Sequence, residues 1–229
     1  MNGRWKGWGV SQRGPLHIKN SIPNQDSFIL KTYTWGAAAA VCDGLGSKPH
    51  SHIGSKKLCE AFIQTVKMFE FEKDLSFFEK IMLPMWEMKI SPIQDKDALS
   101  TIIFTIIKDK KVYIANSGDG GIVILGKKEL VFEDSGEFSN ITTPFGYQKL
   151  NWRMFDEDDI DAVMLCSDGI YDDLQKNRIK DFAKDYINHY KNIPPLKRYF
   201  EIKRFLKNWP IKGHTDDKTI LTLYKDENA

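Results

Sequence analysis

Short runs of apolar and β-branched residues punctuate the chain at 35–41, 100–108, 112–116, 121–125, 162–166 and 219–224, each bounded by Gly, Asp, Asn or Lys. Runs of that length and composition predict strands. The runs at 102–107 and 112–115 flank Lys108-Asp109-Lys110-Lys111, which predicts an antiparallel hairpin with a charged turn. Between the runs the apolar period lengthens. Leu58, Ala61, Phe62, Val66 and Phe69 fall on one face of a helix predicted over 53–70. A second helix is predicted over 75–89. A third covers 174–191, with Ile179, Phe182, Ala183, Tyr186 and Ile187 on one face. Pro194 and Pro195 end it, and a fourth is predicted over 196–207. The helices come in pairs separated by strands rather than alternating with them singly. That order argues against a doubly wound parallel sheet and predicts antiparallel sheets covered by helices.

Composition adds limits to this picture. At 229 residues the chain is expected to form one domain, 1–229. Its 41% hydrophobic and 28% charged residues are ordinary for a globular protein. A chain of this length buries roughly 70% of its unfolded surface and needs no covalent staples. Thirty-three basic against thirty-one acidic residues give +2, a balance that suggests neither a nucleic acid nor a membrane partner. Cys42, Cys59 and Cys166 are odd in number and lack C-x-x-C spacing, so three reduced, mostly buried thiols are expected. No apolar run approaches a membrane span, and Met1-Asn2-Gly3-Arg4-Trp5-Lys6 has no apolar signal core behind it. A cytoplasmic protein is expected. The tryptophans, Trp5, Trp8, Trp35 and Trp152 among them, read as packing residues rather than a ligand cage.

The candidate chemistry lies in aspartates at strand ends. Asp43, Asp119 and Asp168 each follow an apolar run and precede Gly, in Val41-Cys42-Asp43-Gly44-Leu45-Gly46, Asn116-Ser117-Gly118-Asp119-Gly120 and Leu165-Cys166-Ser167-Asp168-Gly169. Asp216 comes just before a run, in Thr215-Asp216-Asp217-Lys218-Thr219, and Asn24-Gln25-Asp26 forms a fifth cluster. A single Asp-Gly after a strand is ordinarily a turn. Recurrence at strand edges is not explained that way. Converging carboxylates repel one another unless cations sit between them. Magnesium and manganese take oxygen-rich sites, and two such ions about 4 Å apart lower the pKa of a bridging water.

In order and wording these elements resemble the metal-dependent serine/threonine protein phosphatases of the 2C type, in a compact bacterial form. The resemblance rests on Asn24-Gln25-Asp26-Ser27, the Asp43-Gly44 element, Leu99-Ser100-Thr101, Ile114-Ala115-Asn116-Ser117-Gly118-Asp119, Ser167-Asp168-Gly169-Ile170-Tyr171-Asp172 and Asp216-Asp217-Lys218-Thr219. It implies an α+β fold, an αββα sandwich of two antiparallel sheets flanked by helix pairs. It implies two Mn2+ or Mg2+ ions, with Asp43 bridging them, the Gly44 carbonyl on one, and Asp168 and Asp216 on the other. Asp26 would hold metal-bound waters, and Asp119 and Asp172 match the ligands of a third ion. Asp43, Asp26, Asp168 and Asp216 are thus the expected catalytic set. The implied partner is a phosphorylated protein made by a cognate serine/threonine kinase.

Several positions depart from the pattern. Ser21 stands where the family commonly has a phosphate-gripping arginine; Lys19, His17 and Arg13 are possible substitutes, each otherwise a solvated loop residue. Leu45 stands where some members have a histidine, with His50 and His52 nearby. Gly120-Gly121 replaces Ser-Arg, Gln25 replaces an acidic residue, and Asp217 replaces an asparagine, which would add charge beside the metals or be a surface change. The short segment between Asp119 and Asp168 predicts a small substrate flap, with Thr142-Thr143-Pro144-Phe145 beneath it. These departures keep open a catalytically weak phosphoprotein-binding domain on the same fold, and a hydrolase of small phosphate esters.

Overall fold

A computed structural model describes residues 4–132 and 142–226. Among the described residues ten strands form two five-stranded sheets, and every pairing between these strands is antiparallel. In chain order the elements are β1 (Trp5–Gln12), α1 (Pro15–Lys19), β2 (Asp26–Tyr33), β3 (Gly36–Asp43), α2 (Ser51–Met68), α3 (Ser76–Ile90), β4 (Ile102–Lys108), β5 (Lys111–Ser117), β6 (Gly121–Gly126), β7 (Leu130–Phe132), β8 (Asn151–Asp156), β9 (Ile160–Cys166), α4 (Asp168–Tyr171), α5 (Ile179–Tyr190), α6 (Pro195–Lys207) and β10 (Lys218–Lys225). One sheet runs β1-β10-β9-β6-β7 and the other β2-β3-β4-β5-β8. The α+β architecture of two antiparallel sheets and flanking helices is the expected one.

Strand alternation explains the layers. Ala37, Ala39, Val41, Ile103 and Ile114 from one sheet meet Ile122, Val163, Leu165, Leu221 and Leu223 from the other. The alternate residues Ala38, Ala40, Cys42, Phe104 and Ala115 turn outward beneath α2 and α3. Val123, Met164, Cys166 and Ile220 do the same beneath α5 and α6. Central strands buried on both faces read as continuous apolar runs, and all six runs found in the sequence are central strands.

The four strands without such a run, β1, β2, β7 and β8, are the sheet edges. β8, for example, is Asn-Trp-Arg-Met-Phe-Asp and largely solvent-facing. The helix expected over 174–191 begins later, at Ile179, after a short 3₁₀ turn. The tryptophans bear out the packing reading: Trp5 and Trp8 are buried, and Trp152 packs edge-on against Phe78 and Phe104. Trp35 stacks on Tyr33, with ring centroids 4.4 Å apart. The three thiols are free and buried. Among the described residues no helix is long and apolar enough to cross a membrane. The small-flap expectation falls partly on 133–141, outside the described residues; Pro144 and Phe145 are buried.

Gly54 marks how closely α2 approaches its neighbours. A Cβ there would lie 1.7 Å from the Ala98 carbonyl oxygen, and the Gly54 carbonyl accepts the Trp86 indole N–H at 3.0 Å. Gly54→Ala should therefore lower stability by about 1–2 kcal/mol in urea unfolding, although alanine is the better helix former by about 1 kcal/mol. Equal or greater stability would show that the loop at Ala98 yields freely.

Candidate active site

The sandwich brings strand ends from both sheets to one cleft of about 260 Å³. Asp43 ends β3, and its cross-strand partner is Asp26, the first residue of β2. Asp168 follows β9 and opens α4; Asp216 sits two residues before β10. Asp119 occupies the turn between β5 and β6, where Gly118 (φ 92°) and Gly120 (φ 105°) supply left-handed backbone that other residues rarely adopt. Asp43, Gly44, Asp119, Asp168 and Asp216 all line the cleft. Asp26 is buried behind it, joined to Ser167 Oγ at 2.8 Å. Asp172, at the C-cap of α4, is exposed and is not among the described cleft-lining residues.

Crowding shows in the electrostatics. Burial raises the Asp26 carboxyl to about 7, with Asp217 and Asp168 adding to the shift and Thr219 and Ser167 hydroxyls opposing it. Asp43 is pushed well above the carboxylate range by lost hydration, then by Asp26 and Asp168. Asp168 rises to about 6, again chiefly through lost hydration, reinforced by Asp119 and Asp216. Asp168 raises the Asp43 carboxyl while Asp43 lowers that of Asp168, so the titrations of the two groups are linked.

The backbone around these groups is tightly fixed. The Asp43 carbonyl accepts Thr101 N–H and Ser100 Oγ–H, both at 2.7 Å. Asp217 is buried, which corrects the surface reading; its charge does lie beside the acidic cluster, where it raises the Asp26 carboxyl. Its Oδ1 accepts Gly14 N–H and its Oδ2 accepts Gln25 N–H, both at 2.6 Å, and His17 Nδ1 lies 2.9 Å from Oδ2. An asparagine, with one acceptor oxygen, could not hold both amides in this way. The carboxylate ties β10 to α1 and to the loop before β2, which aligns Asp216 with Asp26. Although His17, Asp216 and Asp217 could offer ligand atoms within 4.8 Å of one another, the Asp217 oxygens are already engaged.

Of the candidate phosphate-gripping residues, His17 lines the cleft and is the one basic residue among those described there. Arg13 points elsewhere, with Nη1 donating to the Ile22 carbonyl at 3.3 Å, while Lys19 and Ser21 are exposed. His50 and His52 lie at the start of α2 and do not line the cleft. Gln25 is tied by its amide to Ser51 Oγ at 2.8 Å. Thr142 Oγ1 donates to Asp119 Oδ2. Sequence reasoning missed Lys218, which is buried behind the acidic cluster; its only signal was a charged residue opening an apolar strand.

The donor set suits a hard divalent cation. It consists of oxygens alone, burial and neighbouring acids oppose ionisation of Asp43 and Asp168 in the absence of counter-charge, and Asp26 Oδ1 is buried without a hydrogen-bond partner.

Comparison with known proteins agrees with this arrangement. A family model described as protein phosphatase 2C matches residues 13–203. Fold and match together define a protein serine/threonine phosphatase. The chain belongs to the protein phosphatase 2C family. A bacterial serine phosphatase superposes with a TM-score of 0.69 at 16% identity, covering 98% of this chain and 100% of the other. The serine/threonine phosphatase Stp1 from Staphylococcus aureus gives 0.69 at 15% identity, covering 99% and 97%. The catalytic domain of the serine/threonine phosphatase PstP, solved with two manganese ions, gives 0.60 at 16% identity, covering 96% and 97%. No curated protein sequence matches.

Two outcomes follow from this geometry. Asp217→Ala leaves two buried N–H groups without an acceptor and should cost about 2–4 kcal/mol in urea unfolding; a loss below about 1 kcal/mol would mean that the knot is dispensable. The raised carboxyl groups make the metal-free fold bind more protons than the unfolded chain between the unfolded carboxyl value, about 4, and about pH 7. Its melting temperature in EDTA should fall as pH rises from 5 to 8, less steeply in Asp26→Asn, and saturating manganese should flatten the slope. A slope of opposite sign in EDTA would refute the crowding.

Proposed function

We propose that the protein removes phosphate from phosphoserine and phosphothreonine in proteins, using two manganese or magnesium ions at this cleft. Asp43, the Gly44 carbonyl, Asp168 and Asp216 would hold the pair, and Asp119 with Asp172 would serve a third. When bound, such ions neutralise the charge of the phosphoryl group and lower the pKa of water for in-line attack on phosphorus. The convergence of Asp43, Asp168 and Asp216 on one cleft is the observation that carries this reading.

The chain's own contribution is placement. Thr101 N–H and Ser100 Oγ hold the Asp43 carbonyl, so the carboxyl group cannot retreat from its neighbours. Ser167 engages Asp26 Oδ2 and leaves Oδ1 as an acceptor for a water proton. His17, held against Asp217, is the basic group best placed to meet a phosphoryl oxygen. A lone imidazole grips phosphate less firmly than a bidentate arginine. That favours a raised KM, and it also motivates a second reading, a catalytically weak phosphoprotein-binding domain.

Hydrolysis of p-nitrophenyl phosphate should require manganese or magnesium and stop on chelation. Asp43→Asn and Asp168→Asn should each lower kcat by about a thousandfold or more. Turnover that survives both substitutions and EDTA would sink the proposal. Calorimetric manganese binding without turnover on any phosphopeptide would favour the binding domain. Faster turnover of small phosphate esters than of phosphopeptides would point to a small-molecule hydrolase.

A further inference from the structure

A second cavity of about 260 Å³ adjoins the cleft. α1 stands between the two: Leu16 and His17 line the cleft, Pro15 and Ile18 line the second cavity, and Asp216 borders both. The other charged or titratable side chains in its lining are basic: Arg13, Lys207, His214 and Lys218. Lys218 is 1% exposed, yet among the described residues its only hydrogen bond is to the Asp216 carbonyl oxygen, at 3.4 Å. An ammonium carries three donors, and a buried donor left unmet is costly. The acids around it are occupied elsewhere. Asp173 Oδ2 accepts the Trp209 indole N–H at 2.7 Å, Asp216 Oδ1 accepts Asp217 N–H at 2.8 Å, and Asp26 and Asp168 belong to the acidic centre. His214 Nδ1 is also buried without a partner. Arg13 spends one N–H on the Ile22 carbonyl, and among the described residues neither it nor Lys207 forms an ion pair.

We propose that this cavity receives a second anionic group of the substrate, a carboxylate or phosphate lying a few residues from the scissile phosphoserine or phosphothreonine. The inference rests on the phosphatase reading and specifies its substrate class: acidic or multiply phosphorylated peptides. A peptide is favoured over a free ion because Asp216 borders both the cavity and the cleft, so one extended ligand can reach the two across α1, and the cavity rim carries the exposed Pro15 and Ile18.

The test uses two phosphopeptides that differ only in glutamate or glutamine flanks, with manganese present. The expected ratio of kcat/KM, acidic over neutral, is about tenfold. Lys207→Glu and Arg13→Ala should bring it toward one; Lys207 is exposed and its replacement is not expected to disturb folding. Lys218→Met, a harsher change in the buried position, should abolish the preference if it folds. In parallel, inorganic phosphate and each peptide are titrated into metal-free protein while the His214 imidazole resonances are followed by NMR. Saturable shifts, tighter for the acidic peptide and lost in Lys207→Glu, support the proposal even if no substrate turns over; that combination would overturn the phosphatase reading alone. Phosphate binding without any peptide preference would make the cavity a free-anion site and overturn the substrate assignment. An unchanged ratio in the variants, or no shift with any probe, would overturn the proposal altogether.

Discussion

Asp26, Asp43 and Asp168 are forced together where burial and mutual repulsion oppose the ionisation of their carboxyl groups. That repulsion is the constraint around which the rest of the molecule is arranged. Left to itself it would push the strand ends apart. It is resisted by a sandwich whose central strands are buried on both faces and whose two sheets share one layer of aliphatic side chains. A loosely packed scaffold would relax and let the carboxyl groups separate. The alanine run of β3 lets α2 lie close on one side and the second sheet close on the other, so Asp43 emerges from the most confined strand.

The opening of β10 is the second point on which the site turns. Three consecutive charged residues there face three ways. Asp216 borders the cleft, Asp217 gathers the amides of Gly14 and Gln25, and Lys218 enters the basic cavity. The Asp217 carboxylate links the start of β10 to α1 and to the loop before β2, so its charge has a structural part. The close approach at Gly169, where a Cβ would lie 2.1 Å from the Asp217 carbonyl oxygen, closes the same knot from α4. The Asp-Gly pairing at 168–169 thus serves packing as well as placing Asp168 in the cleft.

The departures from the family pattern fall into place around this knot. With Ser21 exposed and Arg13 turned away from the cleft, the basic groups nearest the acidic centre are His17 on one side of α1 and those lining the second cavity on the other.

The six central strands, the two helix pairs and the acidic residues at strand ends were legible in the sequence, because burial on both faces imposes an unbroken apolar run and a helix imposes its period. Asp43, Asp119, Asp168 and Asp216 were legible as site candidates because each adjoins such a run. The edge strands were not, since β1, β2, β7 and β8 are paired on one side only and tolerate glycine and polar residues. Nor was α1, too short to show a period. Only the tertiary structure decided that His17 meets Asp217 across about 200 residues, that Asp217 is buried and Asp172 exposed, and that Lys218 is an enclosed ammonium. Local pattern reports how much of a residue is covered, whereas partners brought together by the closing of two sheets leave no local trace.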